Sequence, residues 1–151
     1  MSLAAQIQTD LTTAMKAREK VRTTTLRSVL AGIKNLRVEG GRTDSEVSDA
    51  EVIDIISREA KKRRESIETY TSAGRDELAA TEQEELDILV AYLPEQLDEA
   101  AIRTIVTETV AEVGAEGPGD LGKVMGALMP KVKGKADGKL VNTIVREVLN
   151  G

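Results

Sequence analysis

Apolar residues recur at spacings of three and four along the whole chain, which is the period of an amphipathic helix and not of a strand. Leu3, Ile7, Leu11, Ala14 and Met15 form a first stripe; Leu26, Val29, Leu30 and Ile33 form a second, which stops near the breaker pair Gly40-Gly41. Residues 40–47 read as a loop. A third helix starts where Ser48 and Glu51 have the spacing of a capping box, in which hydroxyl and carboxylate each satisfy an otherwise unpaired backbone N–H. Its apolar positions are Val52, Ile53, Ile56, Ala60, Ile67 and Tyr70, and Gly74 is suited to a left-handed cap at its end. A fourth helix is predicted from about Asp76 to Leu93, with Leu78, Leu86, Leu89, Val90 and Leu93 on one side and Pro94 as its stop.

Leu93-Pro94-Glu95-Gln96-Leu97 reads as a joint. After it, Asp98 can cap a helix carrying Ile102, Ile105, Val106, Val110 and Val113, ended by Gly114. The β-branched content of residues 104–113 suits a strand, but the three-four spacing favours helix. Beyond the Gly117-Pro118-Gly119 loop, Asp120 can cap a short helix with Leu121, Val124, Met125, Leu128 and Met129, and Pro130 and Gly134 are expected to break its continuation. Asp137 can cap a last helix bearing Leu140, Val141, Ile144, Val145, Val148 and Leu149. The predicted class is all-α: a bundle of about four helices over 1–93, a joint at 94–97, and a small three-helix domain over 98–151 that is marginal by size.

Composition narrows the chemistry. Leu, Ile and Val supply 38 of 151 residues, so the chain can bury a core. It has no Cys, His, Trp or Phe, and its two aromatics are Tyr70 and Tyr92. Disulfides, the usual zinc ligand sets, thiolate nucleophiles and His-based triads are therefore excluded. Two aromatics are too few for base stacking on single strands. No apolar run is long enough to cross a bilayer and no signal-peptide pattern opens the chain, so the expectation is a cytoplasmic protein with no membrane, metal or cofactor.

The net charge of −5 argues against indiscriminate nucleic-acid binding, yet Leu121 to Arg146 carries Lys123, Lys131, Lys133, Lys135, Lys139 and Arg146 against Asp137 alone. Lysines read phosphates and not bases, so binding through this segment would follow shape. Backbone N–H groups where the last helix begins could add to a phosphate site. Gly117 to Lys123 fits the start of a phosphate loop, but Val124 stands where a magnesium-binding hydroxyl is needed, and a helix precedes the loop. Lys61, Lys62, Arg63 and Arg64 spread around most of a helix circumference, with Glu59–Arg63, Lys61–Glu65 and Arg64–Glu68 at pairing distance in sequence. A solvated, internally paired face explains most of that run, and phosphate contact is its secondary reading. Glu82, Glu84, Glu85 and Asp87 read as exposed helix surface. Met125 and Met129 read as core.

Two stretches carry a resemblance. One is Lys61-Lys-Arg-Arg-Glu-Ser-Ile-Glu-Thr-Tyr70 with Ala73-Gly-Arg75 and Tyr92-Leu-Pro-Glu-Gln-Leu97; the other runs from Gly122-Lys-Val-Met-Gly-Ala-Leu-Met-Pro through Lys131-Val-Lys-Gly-Lys-Ala-Asp-Gly-Lys to Asn142. Together they resemble the GatB/YqeY family, specifically its stand-alone YqeY-like members. The resemblance implies an all-helical protein with a larger N-terminal bundle and a small C-terminal three-helix unit. It also implies kinship with the tail of the B subunit of aspartyl/glutamyl-tRNA amidotransferase, which helps hold the tRNA while other domains do the chemistry. On that likeness Lys131, Lys133, Lys135 and Lys139 are candidate RNA contacts, with Lys123 and Arg146 beside them.

The label such a likeness carries is carbon–nitrogen ligase with glutamine as amido-nitrogen donor. The chain has neither the nucleophile nor the intact phosphate loop for it, so independent catalysis is not supported. The expected function is a non-catalytic, tRNA-binding-type accessory module. The alternative is an adaptor that docks on an amidotransferase or aminoacyl-tRNA synthetase without touching RNA. A third reading, an enzyme built on carboxylates, requires a cleft that gathers Asp or Glu with raised pKa.

Overall fold

The computed structural model describes residues 1–42 and 47–151. The described residues form seven α-helices: α1 Leu3–Lys16, α2 Lys20–Gly40, α3 Asp49–Ser72, α4 Asp76–Val90, α5 Glu99–Val113, α6 Leu121–Val132 and α7 Gly138–Asn150. A single 3-10 turn, Pro118–Asp120, leads into α6, and the described residues contain no strand. The all-α expectation holds. The chain divides into two compact units, Met1–Leu93 and Pro94–Gly151. Of the loop expected at 40–47, residues 43–46 lie outside the described residues.

The first unit is built on Ile7, Leu11, Leu26, Val29, Ile33, Val52, Ile56, Ala60, Leu86 and Leu89, all buried. These are the three-four stripes of α1 to α4 turned inward. The helices are stitched by few polar contacts. The Tyr92 hydroxyl donates to Asp10 of α1; burial, then this acceptor, push the phenol pKa up. The Leu3 N–H donates to Asp49 Oδ1 at 2.9 Å, joining the starts of α1 and α3. Ser48 and Glu51 form the predicted capping box.

Glu51 does more than cap. The Arg42 guanidinium grips it as a fork, Nη1 to Oε1 at 3.0 Å and Nη2 to Oε2 at 2.9 Å. The Arg42 hydrogen bond and then the Ser48 N–H hold the carboxyl down at about 2. A depressed carboxylate stabilises the fold above its unfolded pKa, and that contribution drains away as pH falls toward the folded value. Glu51→Gln is therefore expected to lower the melting temperature at pH 7 and to leave the two proteins nearly equal by pH 2. Thermal melts across that range check this, and a deficit independent of pH would contradict it.

The second unit has its own core: Ile102, Val106, Val124, Leu128, Val132, Val141, Ile144, Val145 and Leu149. Asp98 caps α5 through the Ala101 N–H at 2.8 Å, and Gly114 closes it in the left-handed region at φ 67°. Asp137 caps α7 as expected.

Several expectations fail for identifiable reasons. Met15, Leu78, Met129 and Leu140, expected on apolar stripes, stand exposed, each at the margin of its stripe, where the helix turns its side chain from the core. Helix α4 ends at Val90, and residues 91–93 continue as turns before Pro94 acts. Helix α6 runs through Pro130 to Val132, which is buried. The bond Pro130 cannot make would have gone to the Gly126 carbonyl, and Gly126 is exposed, so water can serve instead. Asp120 does not cap α6; its carboxylate accepts the Glu116 N–H at 3.0 Å, because the 3-10 turn intervenes.

Candidate nucleic-acid interface

Charge is segregated along the second unit. Residues 94–120 carry one cation, Arg103, and seven acids, whereas residues 121–151 carry six cations and two acids. The acidic half is the joint, α5 and the turn; the basic half is α6, α7 and the segment between them. The net values are −6 and +4, so one unit presents two electrostatically opposite helical faces.

Five of the six expected cations are exposed on the basic half: Lys123 on α6, Lys133 and Lys135 in the connecting segment, and Lys139 and Arg146 on α7. On α7 the core takes Val141, Ile144, Val145 and Leu149, which leaves Lys139, Thr143 and Arg146 at i, i+4 and i+7 along the outward face. The Arg146 Nε donates to Asn142 Oδ1 at 2.7 Å, which fixes the guanidinium along the helix surface. Of the acids in this half, Glu147 is already engaged with Arg103 of α5 at 2.8 Å.

Lys131 is placed differently. Its Nζ lies 2.7 Å from Glu112 Oε2 and donates to the Thr109 hydroxyl at 3.0 Å, so it ties α6 to α5. Thr109 is fully buried in the core-facing row of α5 and also donates to the Ile105 carbonyl. The start of α7 is also occupied: the Asp137 carboxylate accepts the Lys139 N–H at 3.2 Å. A carboxylate at that end competes with a phosphate, so contact there falls to side chains and not to helix N–H groups.

The Lys61 to Arg64 run lies on α3, which holds five cations against six acids. Lys61 and Lys62 are exposed, and Lys62 lies 3.4 Å from Glu59. Arg63 points inward, 12% exposed, in an ion pair with Glu59 and with its Nε 3.7 Å from Glu85 of α4. Glu85 is thus not exposed surface as expected: its side chain is 14% exposed, and burial raises its carboxyl pKa against the pull of the Arg63 charge. This is the raised carboxylate that a carboxylate-based enzyme would need, but it is clamped between helices by an arginine. The groove of about 650 Å³ between α2 and α3 includes Glu39, Glu51, Asp54, Glu59 and Lys62, and Glu85 is not among its lining residues. Its acids are largely answered, Glu51 by Arg42, Asp54 by Arg58 at 2.9 Å and Glu59 by its two α3 neighbours.

Gln96, which no spacing in the sequence singles out, reaches across from the joint to the lysine-bearing segment. Its Nε2 donates to the Pro94 carbonyl at 2.7 Å and to the Gly134 carbonyl at 2.8 Å. Beside it the Leu97 N–H donates to the Lys135 carbonyl at 2.8 Å.

A helical bundle joined to a small charge-segregated helical unit is the class of protein this geometry defines. The chain belongs to the family described as Yqey-like protein, which matches residues 4–149. It is 31% identical over 148 residues to "Altered inheritance of mitochondria protein 41, mitochondrial" of Pyrenophora tritici-repentis, covering 95% of this chain and 79% of that protein. It is also similar to one subunit of the glutamyl-tRNA(Gln) amidotransferase, 32% identical over 118 residues in Thermococcus gammatolerans and 34% over 119 residues in Thermococcus sibiricus. Those matches cover 78% and 79% of this chain but only 18% and 19% of the amidotransferase subunits. No helix among the described residues is long and apolar enough to cross a membrane.

Proposed function

We propose that this chain is a non-catalytic module that binds tRNA through the basic half of its second unit. The observation that carries the reading is the one-sided charge: Lys123, Lys133, Lys135, Lys139 and Arg146 are exposed on the α6–α7 half, while the α5 half is acidic and repels phosphate. The similarity to part of a subunit named for tRNA(Gln) supports the same class of ligand. Lys131 drops from the contact set because its partners are on α5, and Arg63 because its partners are on α3 and α4. Lys61, Lys62 and Arg64 are a secondary patch on a helix with no net positive charge. A cytoplasmic setting belongs to the proposal; the fungal relatives' names place those proteins in mitochondria.

The test is binding to bulk tRNA across a salt series. If all five exposed cations each neutralise a phosphate, the slope of log K against log salt is about −4, and affinity falls on the order of 10²-fold between 50 and 200 mM salt. Changing Lys133, Lys135, Lys139 and Arg146 to Ala is expected to abolish most of that slope. Lys131→Ala should leave it intact and cost at most about 1 kcal/mol of stability, since its ion pair is partly exposed. Binding that survives the four-residue variant but is lost when Lys61, Lys62 and Arg64 are changed would move the site to α3. Absence of binding at low salt would overturn the RNA reading in favour of the adaptor, docked on an amidotransferase or synthetase.

A further inference from the structure

The segment Lys133–Asp137 connects two helices and bears two of the cations assigned to RNA. Left to itself, such a connection samples many conformations, and lysine side chains are rich in rotamers, so ordering them on a ligand costs affinity. Here the backbone between them is already held. Gly134 adopts φ 76°, a conformation in which side chains are strained, and its carbonyl accepts the Gln96 amide at 2.8 Å. The next carbonyl, that of Lys135, accepts the Leu97 N–H at 2.8 Å, while the Lys135 N–H returns to the Val132 carbonyl at 2.9 Å. Both N–H groups of one side-chain amide are used, one on the joint's own Pro94 and one on the segment. An amide N–H2 has two donors in a fixed plane, so the two carbonyls it bridges are set relative to each other.

We infer that Gln96 is a positioning residue for the phosphate-binding surface: it clasps the Lys133–Lys135 segment to the joint so that the two lysines meet RNA in a preformed arrangement. The inference rests on the tRNA reading above. Gln96 itself need not touch RNA. Its effect passes through Lys133 and Lys135, and this separates it from a residue that merely stabilises the unit.

A double-mutant cycle on the full chain tests this, with bulk tRNA as the probe. Gln96→Met keeps the length of the side chain and removes both donors. It is expected to weaken tRNA binding about fivefold, the scale of ordering one or two released side chains. In a background already carrying Lys133→Ala and Lys135→Ala, the same change is expected to weaken binding by less than about twofold, because the residues it positions are gone. Circular dichroism should show unchanged helix content, and amide exchange at Leu97 should quicken. Gln96→Asn, too short to reach both carbonyls, repeats the test should Met disturb folding. Equal weakening in both backgrounds, or none in the first, overturns the inference while leaving the tRNA reading standing. Failure of the unaltered protein to bind tRNA overturns the reading and the inference with it.

Discussion

Arg63→Met is expected to cost about 3 kcal/mol of folding stability at pH 7, because it strands buried carboxylates without their cation. Arg63, Glu59 and Glu85 have side chains only 12%, 14% and 14% exposed, so water cannot replace the guanidinium. Methionine fills much of the same volume, so the loss is electrostatic and not a cavity effect. Its pH dependence follows from sign. Glu85 is already raised by burial while Arg63 pulls it down, so removing Arg63 raises it further. The folded variant then holds a proton that the unfolded chain has released, and the deficit shrinks as pH falls from 7 toward 4.5. Urea unfolding at pH 7 and pH 5 measures this. A deficit that grows toward pH 5 would contradict the assignment, and a negligible one at pH 7 would mean that these residues are solvated.

Leu128→Ala is expected to cost about 3 kcal/mol, the loss of a buried leucine plus the cavity it leaves. Leu128 is fully buried in the core that α5, α6 and α7 share. A unit of that size commands only roughly 3–9 kcal/mol in total, so the substitution removes a large part of it. Met129, the next residue on the same helix, is 37% exposed. Met129→Ala should cost less than about 1 kcal/mol. Midpoints of urea unfolding, with unchanged m-values, compare the two. Equal losses would mean that α6 is rotated about its axis from the orientation described.

Most of the fold was legible because local signals agreed with one another. Ser48, Asp98 and Asp137 cap where their spacing predicts, and the α7 stripe at Val141, Ile144, Val145 and Leu149 is the buried one. Signals read one at a time misled. Pro130 looked like a stop, but helix α6 tolerates it because the orphaned carbonyl is exposed. Gly32 looked like an ordinary helix interior residue, yet a Cβ there would lie 2.8 Å from Ile55 Cγ2, so it marks the close approach of α2 and α3. Such an approach depends on tertiary packing, which periodicity does not encode.

The cations were legible as a set but not as individuals. Nothing in the spacing of Lys131 distinguishes it from Lys133, and only the placement of Glu112 and Thr109 on α5 does. The Arg63–Glu59 pair was readable at i and i+4, whereas Glu85, 22 positions on, was not. Gln96 stood in a motif with no chemistry attached, because its partner is 38 residues away.

The most direct measurement is a titration of tRNA into isotopically labelled protein at low salt, with backbone amide signals tracked residue by residue. Shifts are expected to concentrate at Lys123, at residues 133–139 and along the outward face of α7 to Arg146, with α5 and Lys61 to Arg64 unmoved. Shifts centred on α3, or none at any tRNA concentration, would contradict a tRNA site on the basic half of the second unit.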